Sequence, residues 1–270
     1  MIQVGMSTAS YFTKRMIEDA IPDISSHNVP ICELFLNSFS EYNGEIFDCL
    51  ASRIHRTGLP IYSVHPMSTQ FEPQLFSLHP RQYGDAWKIY EMVLQAGKQL
   101  GAKHYVMHGP AHLSGAAKNL ELDRLVPIFR DLCALAETYG MQLTLENVSW
   151  CIFCRPTFGA ELQQRMGRVL KYTLDVKQAL RSGFDPLDFV DAVGDNIVNL
   201  HLCDAATHDG HLCLRMPGQG DYDFSALASA LRSHGYVGPA FLEVYSDMYG
   251  EISELYDSYD CMRKAFGCTQ

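Results

Sequence analysis

Glu33, His65, His108, Glu146, Asp175, His201 with Asp204, and Glu243 each stand where an apolar run of the 270-residue chain gives out. Carboxylates and imidazoles are the side chains that ligate metals, so their recurrence at one kind of position marks a candidate site. If those run ends meet, Glu146, Asp175 and Glu243 crowd three negative charges around His201, and such charges repel one another unless something positive sits among them. Lysine and arginine are scarce near these positions, with Lys177, Arg155 and Arg215 the exceptions. A divalent cation is the economical solution. The expectation is one ion held by Glu146, Asp175, His201 and Glu243. Three oxygen donors with a single imidazole suit manganese first, with magnesium, cobalt and zinc as alternatives.

These residues can meet only if the elements that carry them end on one face. Strand-like apolar runs cover 2–7, 30–36, 60–66, 103–109, 142–148, 171–176, 197–203 and 240–245, eight in all. Segments with helical spacing at 13–21, 44–57, 80–100, 121–139, 158–166, 186–193, 224–234 and 251–266 follow them one by one. Thr57-Gly58, Leu100-Gly101, Tyr139-Gly140 and His234-Gly235 read as helix C-caps, and Asp185-Pro186 as an N-cap with proline at the first helical position. Strict alternation predicts an α/β protein: a (β/α)8 TIM barrel, single domain, over residues 1–270. A doubly wound sheet would call for Gly-x-Gly-x-x-Gly after the first strand, where Ser7-Thr8-Ala9-Ser10 stands instead.

In a barrel the chemistry sits at the C-terminal strand ends, and seven of the eight strands deliver a carboxylate or imidazole there. Two residues earlier than the quartet stand Thr144, Thr173, Asn199 and Phe241, so a mostly small or polar layer is expected beneath the rim. The seventh strand feeds the glycine-punctuated loop Pro217-Gly218-Gln219-Gly220-Asp221-Tyr222-Asp223-Phe224, read as bringing backbone close to a small ligand before a helix begins near Asp223.

Composition narrows the partners. A formal net charge of −10 argues against a nucleic-acid footprint, because phosphate backbones are gripped mainly by lysine and arginine. No apolar run reaches transmembrane length, and the N-terminus lacks a basic segment followed by an apolar stretch, so a cytoplasmic protein with no membrane partner is expected. The nine cysteines read as reduced thiols, and Cys151-x-x-Cys154, lacking a second such pair, as plain loop cysteines.

Leu-Glu-Asn at 145–147, Leu-Asp-Val at 174–176, His-Leu-Cys-Asp at 201–204, the Pro-Gly-Gln-Gly-Asp-Tyr-Asp-Phe loop and Phe-Leu-Glu-Val at 241–244 resemble the xylose-isomerase-like barrels. That superfamily holds sugar (phosphate) isomerases and epimerases, inosose-processing enzymes and endonuclease IV. The resemblance covers nearly the whole chain. It implies that Glu146, Asp175, His201 and Glu243 hold the metal and that Glu146 and Glu243 also serve as the acid/base pair. It further implies that Arg215, His65 and His108 face the substrate, with Glu33 as a further substrate contact or rim hydrogen-bonder. The substrate class implied is a small polyhydroxy carbonyl compound, with proton abstraction next to the carbonyl through a metal-stabilised enediolate. A homo-oligomer is the candidate assembly. Phe12, Phe35, Phe71, His112, Trp150, His208, Asp221 and Tyr245 are candidates for the pocket wall.

Two other enzyme readings use the same residues. An inosose-type dehydratase needs only the same ligand quartet. An endonuclease IV-like phosphodiesterase on abasic DNA would use His65 and His108 for a second metal, and Asp209 and His211 for a third. The chain departs from that branch at Gln178, where the pattern Asp-x-x-His would place a third-metal histidine. A binding protein on a degraded barrel ranks last, since the quartet is intact.

Overall fold

Parallel strands covered by helices are buried on both faces and read as near-continuous apolar runs, which is how the strands of this chain are built. A computed structural model describes residues 2–111 and 122–268. Among these, ten strands form: β1 Val4–Ser7, β2 Cys32–Leu36, β3 Ile61–Pro66, β4 His104–Met107, β5 Gln142–Glu146, β6 Lys171–Asp175, β7 Ile197–Leu202, β8 Asp204–His208, β9 His211–Arg215 and β10 Ala240–Leu242. All except β8 and β9 close into a parallel barrel in the order β1-β10-β7-β6-β5-β4-β3-β2. The eight predicted strands are the eight of the barrel.

The outer layer comprises α1 Ile17–Ser26, α2 Gly44–Thr57, α3 Pro80–Gln99, α4 Leu122–Thr138, α5 Pro156–Met166, α6 Val176–Arg181, α7 Pro186–Val193, α8 Phe224–Ser233 and α9 Ser253–Ala265. Each longer helix buries one stripe. In α4 the stripe is Leu125, Phe129, Leu132, Cys133 and Ala136, the three-and-four spacing that keeps side chains on one face. Asp185 caps α7 through Leu187 N–H at 2.9 Å, with Asp188 reaching back to the Asp185 N–H at 3.1 Å.

Three parts of the fold differ from the sequence reading. The first helix begins at Ile17, not 13, because Thr13 takes a left-handed φ of 68° after the separate 3-10 turn Thr8–Tyr11. A short helix, α6, follows β6 directly, and β8 and β9 pair as an antiparallel hairpin in what read as a polar run. The helix expected over 121–139 is described from Leu122, and His112 lies outside the described residues.

His104 opens β4 at the end of the barrel away from the rim, stacked on Tyr62 with ring centroids 4.4 Å apart. Its Nδ1 has no hydrogen-bond partner. Burial, with Lys171 second, pushes the imidazole down to about 4, whereas histidines of an unfolded chain titrate near ~6.5. The unfolded chain therefore binds this proton more tightly, so the neutral ring's contribution is complete above about pH 6.5 and is lost as pH falls toward about 4. Urea denaturation should show stability declining through that window by up to about 3 kcal/mol, with a shallower decline in His104→Gln. An unchanged decline in the variant removes His104 as the cause.

Candidate metal centre

The C-terminal rim gathers the four expected ligands. Glu146 and Asp175 close β5 and β6, His201 lies in β7 level with Asp175, and Glu243 follows the last residue of β10. His201 Nδ1 is 3.0 Å from Glu243 Oε2, 3.2 Å from Glu146 Oε1 and 3.7 Å from Asp175 Oδ2. All four residues are buried, and each offers a ligand atom within 4.8 Å of the others.

One ring nitrogen carries one proton or one lone pair, so it cannot hold three carboxylate oxygens by hydrogen bonds. Glu243 Oε2 in fact has no hydrogen-bond partner despite its closeness to the ring, and a buried oxygen left so is costly. Donor atoms about 3 Å apart are what neighbouring ligands produce around a cation at roughly 2.1 Å. The field points the same way. Burial presses His201 toward the neutral form, but Glu243, Glu33 and Glu146 outweigh it and hold the ring well above the ordinary imidazole range. Surroundings that favour positive charge so strongly fit a divalent ion.

Which nitrogen faces the centre is fixed from below. His201 Nε2 is 3.1 Å from Glu33 Oε2, and that oxygen also accepts from Ser63 Oγ at 2.7 Å and Asn199 Nδ2 at 2.8 Å. Leu200 N–H, donating to Asn199 Oδ1 at 3.0 Å, sets the amide so that its nitrogen meets Glu33. Metal-binding histidines characteristically donate their second N–H to a carboxylate, which fixes tautomer and ring orientation. Burial raises the Glu33 carboxyl, but His201, then His65 and Ser63, outweigh it and hold the group at about 2.

The expectation that Glu33 contacts substrate is corrected here. The strand runs three residues further, to Leu36, and it is Phe35 that stands level with His65 while Glu33 pairs with Ser63. Glu33 is therefore fully buried one layer beneath the rim. The polar layer expected there is present, continued by Thr144 Oγ1 and Thr173 Oγ1 at 2.8 Å.

His65 Nε2 and His108 Nε2 lie 3.3 and 2.9 Å from Glu146 Oε2, the second oxygen of the shared glutamate, and 3.1 Å from each other. These three form a second group able to hold a cation. Burial raises the Glu146 carboxyl, yet His108 and His201 hold it well below the usual carboxylate range. The His65 ring, pushed down by burial, is lifted by Glu146 to about 9. Behind them Ser68 Oγ meets His108 Nδ1 at 2.6 Å, and the buried Glu72 accepts the His108 backbone N–H at 2.9 Å and Tyr105 OH at 3.0 Å. Glu72 comes from a 3-10 turn between β3 and α3, and nothing in the sequence marked it.

His108 and Glu243, with side chains 16% and 11% exposed, open the two groups to solvent. Trp150 stands edge-on to His108 at 5.5 Å, Phe35 to His65 at 5.3 Å, and Phe12 to Phe35 at 5.9 Å. Phe71, a candidate for the wall, is buried in the core instead. His208 and Asp221 are exposed, the first on the hairpin and the second on the glycine loop.

Lys177 is the residue the sequence reading undervalued. Its Nζ donates to Asp175 Oδ2 and, at 3.0 Å, to Glu243 Oε1, with the side chain 3% exposed and the Tyr245 ring 5.6 Å away. Its position two residues after a rim carboxylate was the available signal. Arg215, by contrast, is exposed at the end of β9, where Nη1 donates to the Leu214 carbonyl at 3.1 Å, and it joins neither group.

Asp204 organises the loop instead of joining the centre. Oδ2 accepts Gly218 N–H at 2.9 Å and Gly220 N–H at 3.0 Å, while Oδ1 accepts Ala205 N–H at 2.8 Å and Tyr222 N–H at 3.2 Å. A Cβ at Gly220 would collide with this carboxylate, and Gly218 adopts φ +90° where a Cβ would also meet Cys261 of α9, so both glycines answer to packing within the protein. The close backbone approach read from the sequence is to Asp204.

A family model described as xylose isomerase-like TIM barrel matches residues 23–265. The chain belongs to that family. An uncharacterized protein of Mycobacterium tuberculosis is 26% identical over 269 residues, covering 90% of this chain and 89% of the relative. Among solved structures, a D-tagatose 3-epimerase-like protein matches with a TM-score of 0.79 at 18% identity, covering 99% of this chain and 98% of its own. An IOLI protein with a bound zinc atom matches with a TM-score of 0.76 at 16% identity, covering 98% and 96%.

Within the xylose isomerase-like barrel, Gln178 is turned to a structural task. Its Oε1 accepts Ser149 N–H at 3.2 Å and Ser149 Oγ–H at 2.8 Å; because a backbone N–H can only donate, the atom facing Ser149 is the oxygen. Asp209, at φ 50°, and His211 are exposed at the hairpin turn. Among the described residues the groups able to hold a cation are the quartet and the His65–His108–Glu146 set, and a third set around Gln178 does not assemble.

Proposed function

We propose that this protein is a divalent-metal-dependent isomerase or epimerase of a small ketose, sugar phosphate or cyclitol, acting in the cytoplasm by proton transfer at the carbon beside a carbonyl. The observation that carries the reading is the pair of glutamates flanking the centre. Glu146 on β5 and Glu243 after β10 are separated by β6 and β7 in the barrel, and each turns a buried Oε2 to an imidazole nitrogen, Glu146 to His108 at 2.9 Å and Glu243 to His201 at 3.0 Å, without a well-aligned hydrogen bond. The epimerase-like neighbour and the zinc-binding neighbour support the same reading. Among the described residues, no helix is long and apolar enough to cross a membrane.

Glu146, Asp175, His201 and Glu243 would hold the ion, manganese or zinc being suited to this donor set. A bound divalent ion supplies Lewis acidity toward two neighbouring substrate oxygens. One glutamate removes the carbon-bound proton and the other returns one. Return to the opposite face of the same carbon epimerises, and return to the adjacent carbon isomerises. His65 and His108 stand beside Glu146 to donate to substrate oxygens, and the aromatic side chains at the mouth exclude water, which raises the basicity of a carboxylate. A dehydratase on the same residues differs in product, the loss of water being visible by mass.

Incubation with a panel of ketoses and metal in deuterated water tests the proposal. The expected result is deuterium at the carbon next to the carbonyl, because a proton held by glutamate exchanges with solvent. Turnover without label overturns the proton-transfer mechanism in favour of a hydride shift. Nicking of abasic duplex DNA is expected to be absent at physiological salt, given the net charge of −10 and the turned-away Gln178.

A further inference from the structure

Asp175 and Glu243 are each shared between two cations. Asp175 Oδ1 is taken by the Gln178 backbone N–H at 2.8 Å, so Oδ2, the oxygen on the His201 side, is the one left for a metal. That same Oδ2 accepts from Lys177 Nζ. Glu243 turns Oε2 to His201 Nδ1 and gives Oε1 to Lys177 Nζ at 3.0 Å. The ammonium has no ready retreat to water. Lys177 is 2% exposed, and the Tyr245 ring that covers it is tied by Arg181 Nη1 to Tyr245 OH at 2.8 Å.

We propose that Lys177 is a tethered cation that competes with the metal for Asp175 and Glu243 and so sets the affinity of the centre. The inference rests on the metal-centre reading above. Glu146, Asp175 and Glu243 bring three negative charges to one buried cluster, and the ammonium cancels one of them. A divalent ion then brings the cluster to neutrality, but it must enter beside a fixed positive charge and draw on an oxygen that charge already uses. In a low-dielectric interior like charges at such range repel strongly. Lys177 thereby lets the three carboxylates be buried together without a metal and makes loading reversible, because the ammonium can take back Asp175 Oδ2 when the ion leaves.

The test is a calorimetric titration of manganese into protein stripped with chelator, comparing the wild type with Lys177→Met, Lys177→Gln and the charge-keeping Lys177→Arg. The competitor predicts a dissociation constant at least tenfold tighter in the two neutral variants and no such gain in Lys177→Arg. Should a neutral variant be too unstable without metal for calorimetry, its Tm followed across a manganese series should rise by about 3 °C or more beyond the wild-type rise, and a variant folded only with manganese should reach its half-folded point at a manganese concentration no higher than the wild-type dissociation constant. Metal uptake by Lys177→Met but not by the wild type is the same antagonism in its strongest form. Neutral variants that bind manganese no tighter than a metal-binding wild type overturn the competition alone, and Lys177 is then a clamp for the ligands. Absence of stoichiometric metal in every protein overturns the metal centre and the inference with it.

Discussion

Turnover of a ketose is expected to fall by about a thousandfold when Glu146 is replaced by glutamine, since a positioned general base contributes roughly 10²–10⁴-fold and an amide has no basicity to offer. Size and hydrogen-bond reach are nearly conserved in this change, so the loss should fall on kcat more than on KM. Glu146 is tied to both cation groups: Oε1 is 3.2 Å from His201 Nδ1, and Oε2 is 2.9 Å from His108 Nε2. Elemental analysis of the purified variant therefore belongs beside the kinetics, with metal content expected to fall as well. Glu243→Gln should lose turnover comparably, but for this residue Lys177 also loses a partner, so metal content separates the two variants. Retention of more than a tenth of wild-type kcat by Glu146→Gln, with metal still bound, would remove Glu146 from the proton-transfer pair.

The barrel, and the convergence of Glu146, Asp175, His201 and Glu243 on one rim, were legible because both rest on patterns that repeat. Parallel strands announce themselves as apolar runs separated by helical ones, and their ends fall where polar residues first intrude. Glu146, Asp175 and His201 could be placed from that signal alone. At β2 the apolar run reaches residue 36, where the strand does end, so Glu33 already lies three residues inside it; what the sequence does not show is the register shift between Cys32 and Glu33 that pairs Glu33 with Ser63 a layer below the rim. Lys177 was hidden for another reason. Its helix begins straight after Asp175, and only the tertiary path of α6 carries the ammonium back between Asp175 and Glu243. Unbalanced negative charge is what pointed to a metal, and with Lys177 counted the folded centre still leaves two of the three carboxylate charges to balance, with Glu243 Oε2 unpartnered. Asp204 belongs to the hairpin and glycine loop, whose pairing depends on four backbone N–H groups that no side-chain pattern encodes.

Glu33→Gln carries the second large effect, and it separates the observed layer from the rim position that the sequence suggested. Glu33 Oε2 faces three donors, His201 Nε2, Ser63 Oγ and Asn199 Nδ2, so an acceptor-only carboxylate suits the position and an amide does not. The glutamine must aim its oxygen at some of these donors, while its own NH2 group meets others head-on in a fully buried space. With Nε2–H no longer anchored, His201 is free to carry its proton on Nδ1, the nitrogen that faces Glu146, Asp175 and Glu243, and a protonated nitrogen cannot ligate. Manganese affinity should fall by about tenfold to a hundredfold, the usual consequence of losing the partner behind a ligating histidine. Folding stability should fall by on the order of 3 kcal/mol, the scale for removing one member of a buried pair. The metal-free protein should also respond differently to acid. The depressed Glu33 carboxyl contributes stability that is complete above its ordinary value near ~4.3 and is lost as pH falls through about 2, so the variant should show a shallower acid transition across that window. A substrate contact would behave otherwise, raising KM while leaving metal affinity and the acid transition as they were. That second pattern, found by manganese titration and acid denaturation of Glu33→Gln, would return Glu33 to the rim.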